Sequence, residues 1–260
     1  MPAVSDSRAR SGASRPPMAG RAAEVSWFDI RDVTLSPADL AGLDVRETAR
    51  AAAFVFPADR HRYQVAHVML RRVLAGHLGG EPGRLVFARE PCPTCGGPSG
   101  KPVLTSAHNA AAPGPSFSLA HSGDVVAVAV AAQPVGVDVE REATGCVCSL
   151  VTAMHPSDAA AVEPLPEPER HAAIIRWWVR AEAVLKCAGA GIGHGLDAFP
   201  VLGGPARNNV SPGARPLHVP GWADAAGCSF APLSAPKGYQ AAIAQPGLRL
   251  IRYHWNAGPA

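Results

Sequence analysis

Charge is scarce in this chain of 260 residues: Asp, Glu, Lys and Arg together make up 17%, and the formal net charge is only +3. A protein that works chiefly on nucleic acid needs a broad basic field, so that class is set aside. A local cationic pocket for an anionic small molecule stays open. Long apolar runs are also missing. The longest, 125–132, has eight residues, whereas a bilayer-spanning helix needs about 20, so no membrane contact is expected. The first 23 residues carry arginines but no apolar stretch; they read as a disordered leader at 1–23, not as a secretory signal. With no export signal, the six cysteines read as reduced thiols in a cytoplasm. Only Cys92 and Cys95 have C-x-x-C spacing, and a structural zinc needs a second pair. Cys146 and Cys148 offer one in C-x-C spacing; a tight Pro/Gly-rich turn is the plainer account. No G-x-S-x-G elbow exists to support a hydrolase reading of His121 and Ser122.

What is present is enough apolar material for a core, at 47%, punctuated by 26 Gly and 26 Pro. VSWFDI at 25–30 reads as a strand. In 57–77 the residues Ala66, Met69, Leu70, Val73 and Leu74 recur at helical spacing, with Pro57 at the start and Gly79-Gly80 at the end. Strands are expected at 117–119, 125–132 and 134–140. Pro164, Pro166 and Pro168 mark a linker, after which 169–188 is the strongest helix, stopped by GAGIGHG. The tail, about 196–255, reads as short strands and turns. This succession predicts an α+β chain of two similar-sized halves, divided as 24–132 and 133–260.

Three stretches carry candidate chemistry. In PVGVDVE, side chains two apart on a strand share a face, so Asp138 and Glu140 point together while Val137 and Val139 enter the core. Two converging carboxylates suit a hard divalent cation such as Mg²⁺; a solvated strand end explains them as well. In RWWVRAEAVLKCAGAG, a helix aligns Trp178, Glu182 and Lys186 in one stripe. An exposed Glu-to-Lys pair is the simple account. The sharper one makes Glu182 a third acid, with Lys186 facing phosphate oxygens. In FSLAHSGD, a tight turn after His121 would present an imidazole and backbone N–H groups to a phosphate.

Taken in order, FSLAHSG, VGVDVE and WVRAEAVLK with its following GAGI and LDAF resemble the Sfp-type 4′-phosphopantetheinyl transferases. That family has a Ser-His-Ser turn, a G-[IV]-D-[IV]-E strand and a W-x-x-K-E-x-x-x-K helix. Upstream, FVFPADRHR and SGKP extend the likeness, which covers about 45–200. The resemblance implies a pseudo-dimer of two similar α+β lobes with coenzyme A and Mg²⁺ in the cleft between them. It also implies transfer of the phosphopantetheine arm to a serine of an apo acyl or peptidyl carrier protein of polyketide, non-ribosomal peptide or fatty-acid synthesis, releasing 3′,5′-ADP. Residue by residue, Asp138 and Glu140 match the metal ligands and Glu182 the third acid, which in the family is metal ligand, general base towards the carrier serine, or both. Lys186 matches the lysine near the reacting phosphate. His121, Arg62 and Lys101 match groups that hold coenzyme A phosphates, with Arg50 near the 3′-phosphate. Ala120, Ala181 and Ala190 depart from the pattern where relatives have Ser, Lys and Lys. The three acids and Lys186 are all kept, so activity is expected. A non-catalytic relative that binds coenzyme A or a carrier is the alternative, and a plain Mg²⁺ phosphohydrolase a third. A chain holding both lobes is expected to act as a monomer, and carrier contacts are expected around Met154 and His155.

Overall fold

A computed structural model of the chain describes residues 22–93, 95–98, 100–105, 114–142, 147–191, 195–202, 228–248 and 250–256. Its first half contains strand β1 (Ala22–Asp29), short helices α1 (Pro37–Ala41) and α2 (Val45–Ala52), and the long helix α3 (Pro57–Leu78). A ribbon of β2 (Phe87–Arg89) and β3 (Pro102–Leu104) follows, then the hairpin β4 (Ser116–Ser122) and β5 (Val125–Ala131). Next come β6 (Gly136–Arg141), α4 (Pro156–Val162), α5 (Glu169–Ala188), β7 (Cys228–Pro232), β8 (Tyr239–Pro246) and β9 (Leu250–Asn256). Helix α3 opens on Pro57, which has no N–H to lose there, and closes on the left-handed Gly79. Helix α5 runs over the span its sequence predicts and closes on the left-handed Gly189.

Two sheets form the centre. The first has strand order β4-β5-β1-β9, the second β6-β8-β7. β5 reads VVAVAVA and is buried along its whole length, because both its faces are covered. Val126, Val128 and Val130 meet Phe28, Val65 and Met69 under α3. Val125, Ala127 and Ala129 meet Val137, Val139 and Ile243 between the sheets. The far face of the second sheet, through Ala242 and Ala244, packs on Ile174, Trp177 and Val184 of α5. Each lobe is thus one helix on one sheet, and the two sheets lie back to back, an α+β architecture.

The tail departs from the expected division at 132/133. β9 returns to the first sheet, pairing parallel to β1 from Ala22↔Leu250 to Phe28↔Asn256. The region around 154–155 also differs from the expected contact surface: Met154 is sealed in the second lobe's core, because the short turn 148–153 folds it under α5.

Candidate active site

The geometry starts from Gly136. A Cβ there would collide with the backbone of Ala183 and Cys187, so only glycine lets α5 settle this closely on β6. Asp138 lies two residues on, on the same face, and is therefore pressed against α5. It is only 5% exposed, while Val137 and Val139 enter the core between the sheets. Lys186 Nζ donates to Asp138 Oδ1 at 2.6 Å. The helix stripe therefore works differently from a simple i,i+4 pair: Lys186 reaches across to the strand, and Glu182 is left buried beside it.

Two oxygens in this cluster, Asp138 Oδ2 and Glu182 Oε1, are buried without a hydrogen-bond partner among the described residues. Burial pushes the Asp138 carboxyl up to about 7, against the pull of Lys186, and the neighbouring Glu182 and Glu140 charges push the same way. Burial likewise raises Glu182, opposed by Lys186 and assisted by Glu140. The three acids thus feel one another. Glu140 sits at the strand end, where its Oε2 accepts from Ser122 Oγ at 2.6 Å. That hydroxyl accepts in turn from Arg141 N at 3.1 Å, which ties the β4–β5 turn of one lobe to β6 of the other. Gly123, at φ 54°, makes this turn, and a Cβ there would meet Arg141 Nε and Tyr239 Oη, each at 2.6 Å.

No three His, Cys, Asp or Glu side chains among the described residues are gathered closely enough to hold a metal ion. The donor set nonetheless fits a hard cation. It is all carboxylate oxygen, and two of those oxygens are buried without a hydrogen-bond partner among the described residues, with the Lys186 ammonium as the one cation bonded to the cluster, an arrangement that is costly when all three acids are ionised. The other metal option lies at Cys92. There a turn closes through Cys92 N to Gly97 O at 2.7 Å and Gly96 N to Cys92 O at 2.8 Å, as a Pro/Gly-rich turn should; Cys146 lies outside the described residues.

Beyond Lys186 opens a cleft of about 570 Å³, lined also by Arg46, Arg50, His67, Arg89 and Lys101. Of the residues expected to hold phosphates, Arg50 and Lys101 line it, while Arg62 and His121 lie outside its lining. Lys101 is not presented as expected. Its ammonium donates to Ser116 Oγ at 2.9 Å and to Val135 O at 3.0 Å, and burial lowers its pKa. Lys101 is thereby pinned to the start of β4 and the approach to β6. Arg62 donates to Asp59 at 2.6 Å. His121 reaches solvent at the strand end, yet desolvation by the surrounding walls, then Lys186, His67 and Arg62, lower its pKa. His121, Lys186, His67 and Arg62 thus lie close enough to feel one another. Ala181 is fully buried in the second core. Arg180 points away, donating to Val201 O at 3.0 Å and lying 5.6 Å above the Phe230 ring. Ala190 lines the cleft. Arg46, His67 and Arg89 were not anticipated: the Arg46–Arg50 i,i+4 spacing puts two arginines on one face of α2, and His67 and Arg89 have no such pattern in the sequence.

Two family models fit this arrangement end to end. Residues 37–133 match the 4′-phosphopantetheinyl transferase N-terminal model, and residues 134–242 match the 4′-phosphopantetheinyl transferase superfamily model. The chain belongs to the 4′-phosphopantetheinyl transferase superfamily. Within it, the chain is similar to the 4′-phosphopantetheinyl transferase HetI of a Nostoc species, 34% identical over 158 residues, which is 59% of this chain and 63% of that protein. The 4′-phosphopantetheinyl transferase of Bacillus subtilis is 23% identical over 162 residues, 62% of this chain and 67% of that one. The psf-1 transferase of Bacillus pumilus is 28% identical over 163 residues, 58% of this chain and 60% of its own length. The stretch matched to HetI is thus less than two thirds of that protein.

Proposed function

We propose that this protein transfers the 4′-phosphopantetheine arm of coenzyme A to a serine of apo acyl or peptidyl carrier proteins, releasing 3′,5′-ADP. The observation that carries the reading is the pair of orphaned, buried carboxylate oxygens on Asp138 and Glu182 beside Lys186, at the edge of an arginine-lined cleft. A ligand with a pyrophosphate needs such cations, and phosphoryl transfer is mainly positioning plus charge stabilisation.

In this reading the serine oxygen forms a bond to the phosphorus that carries the pantetheine arm, and the bond from that phosphorus to the 3′,5′-ADP oxygen breaks. Glu182 accepts the serine proton as the attack proceeds. Its raised proton affinity makes it a better base than an ordinary carboxylate. Asp138, Glu140 and Glu182 would hold Mg²⁺, which when bound supplies charge neutralisation at the pyrophosphate. Lys186 holds Asp138 in place and offers its remaining donors to the phosphate. Arg50 and His121 bind the ligand's anionic groups, with Arg62 at their margin; Lys101 sets the wall of the site. We read the protein as a monomer of a reducing cytoplasm with neither nucleic-acid nor membrane partners. No helix among the described residues is long and apolar enough to cross a membrane.

Intact-mass measurement of apo carrier proteins incubated with coenzyme A, Mg²⁺ and the enzyme tests the activity. Carriers of polyketide, non-ribosomal peptide and fatty-acid synthesis are expected to gain the arm, and failure of every carrier to gain it sinks the reading. A chain that binds coenzyme A or carriers without transfer would be the non-catalytic alternative. Asp138→Ala is expected to lower transfer by about 100-fold or more while the protein stays folded. Wild-type rates in that variant would remove the metal role.

A further inference from the structure

Beside the acid cluster, the two lobes meet along a seam of serine hydroxyls. β6 is the edge of its sheet, and an edge strand presents a row of backbone N–H groups that need acceptors. β4, at the edge of the other sheet, supplies them from side chains two residues apart. Ser116 Oγ accepts from Val135 N at 3.2 Å, Ser118 Oγ from Val137 N at 3.0 Å and Ser122 Oγ from Arg141 N at 3.1 Å. The separation is 19 residues at each rung, so the two strands run in step. The rung between would join position 120 to Val139, and there Ala120 has no hydroxyl to offer. Ser122 therefore stands apart from the other serines and is fixed through its own turn. Tyr239 Oη accepts from Asp124 N at 3.1 Å, and Arg141 Nη2 lies 3.7 Å from Asp124 Oδ2, both reaching in from the second lobe.

Ser122 also differs in where its hydrogen goes. A hydroxyl has one to donate, and that of Ser122 goes to Glu140 Oε2 at 2.6 Å, the short length of a bond to a charged acceptor. Glu140 is only half-buried at the end of β6, where so long a side chain would otherwise range over several rotamers. The bond holds its carboxylate where its charge bears on Asp138 and Glu182. Those two acids are kept in place by burial; Glu140 has Ser122. A partner hydrogen-bonded behind a carboxylate ligand fixes its direction and so its affinity for a metal. We propose that Ser122 is a positioning residue for the divalent cation: it orients Glu140 as the third carboxylate of the site, and because its hydroxyl belongs to the seam, it makes cation affinity depend on how β4 lies against β6. This rests on the metal assignment of the transferase reading.

Mn²⁺ titrated into the coenzyme A-loaded protein, with the unbound ion read from its paramagnetic resonance signal, tests this without turnover. Ser122→Ala is expected to weaken Mn²⁺ binding about tenfold or more and to lower Tm by about 2–4 °C, the scale of one lost hydrogen bond. Ser122→Thr keeps the hydroxyl and should bind Mn²⁺ within about twofold of wild type. Ser118→Ala removes the rung at Val137 N without touching an acid; it should lose a similar amount of Tm and keep its Mn²⁺ affinity. In turnover, Ser122→Ala should need about tenfold more Mg²⁺ for half-maximal rate and regain most of kcat at saturating Mg²⁺. Unchanged Mn²⁺ affinity in Ser122→Ala, or equal weakening in Ser118→Ala, overturns the proposal, as does wild-type protein that binds no Mn²⁺. Wild-type protein that modifies carriers as fast after chelation of divalent cations as before also overturns it, and leaves the transfer itself standing. If the Mn²⁺ results hold but no carrier gains the arm, only the transferase reading falls.

Discussion

Asp138 is held in tension by its surroundings. Burial drives its carboxyl up to about 7 while Lys186 pulls it down, and one of its oxygens has no donor among the described residues. That tension has a definite sign in stability. As pH rises past the ordinary value of 3.8, the unfolded chain releases this proton and the folded chain keeps it. In that interval the native state binds more protons, so stability falls with rising pH until about 7 and then levels. In metal-free protein, Asp138→Asn removes the titration while preserving shape. Its Tm relative to wild type should therefore rise between pH 5 and pH 8, by several degrees on thermal melting. Parallel melting curves across that range would show that Asp138 ionises as easily folded as unfolded. Added Mg²⁺ should flatten the wild-type curve and leave the Asn variant unmoved.

The elements most visible in the sequence are those whose stability comes from one amphipathic or fully apolar segment. The core stripe of α3 and the run of α5 declare themselves by helical spacing, and β5 by an unbroken apolar run. α1 and α2 are less visible, being 5 and 8 residues long. Their signal lies in the capping boxes, Ser36 with Asp39 and Asp44 with Glu47, a local pattern that fixes a start but promises no length. The acids were legible because a two-residue period on a strand and the order of the motifs both point at them. What Lys186 bonds, which way Lys101 turns and what Ser122 holds were not, since each depends on where a second element lies in space. Gly136 shows the same limit. In the sequence it is one glycine among 26; in the fold it sets the distance between α5 and β6. Gly136→Ala should cost about 1–3 kcal/mol by overpacking and, by displacing Lys186 and Glu182 from Asp138, lower transfer on the order of 100-fold. Gly76 of α3, with nothing within 4 Å of an added Cβ, is the control: Gly76→Ala should be neutral or stabilising. Equal urea midpoints for the two variants would contradict this account of the helix–strand approach.

On the scale of the whole molecule, the last strand crosses the division between the halves. β1 lies between β5 and β9, antiparallel to the first and parallel to the second, so the first sheet is completed by residues from the far end of the chain. Nothing local announces a parallel partner more than 200 residues away, because pairing of that kind depends on the rest of the fold having formed. Trp255 of β9 packs its ring 6.4 Å from that of Trp27, and Arg252 and His254 approach the buried carboxylate of Glu24. Ending the chain after residue 248 would leave β1 as an open edge with unpaired backbone groups and uncover part of the Trp27 surroundings. We expect such a protein to lose at least about 3 kcal/mol, which lowers Tm by about 6 °C or more in a domain of this size, and to associate at concentrations where the full chain does not. The acid cluster sits on β6 and α5, which do not include β9, so coenzyme A binding should survive at temperatures where the truncated protein is folded. A truncated chain that melts with the full one would mean that β9 only rests on the sheet; one that folds but no longer binds ligand would mean that the tail strand holds the two lobes in register around the cleft.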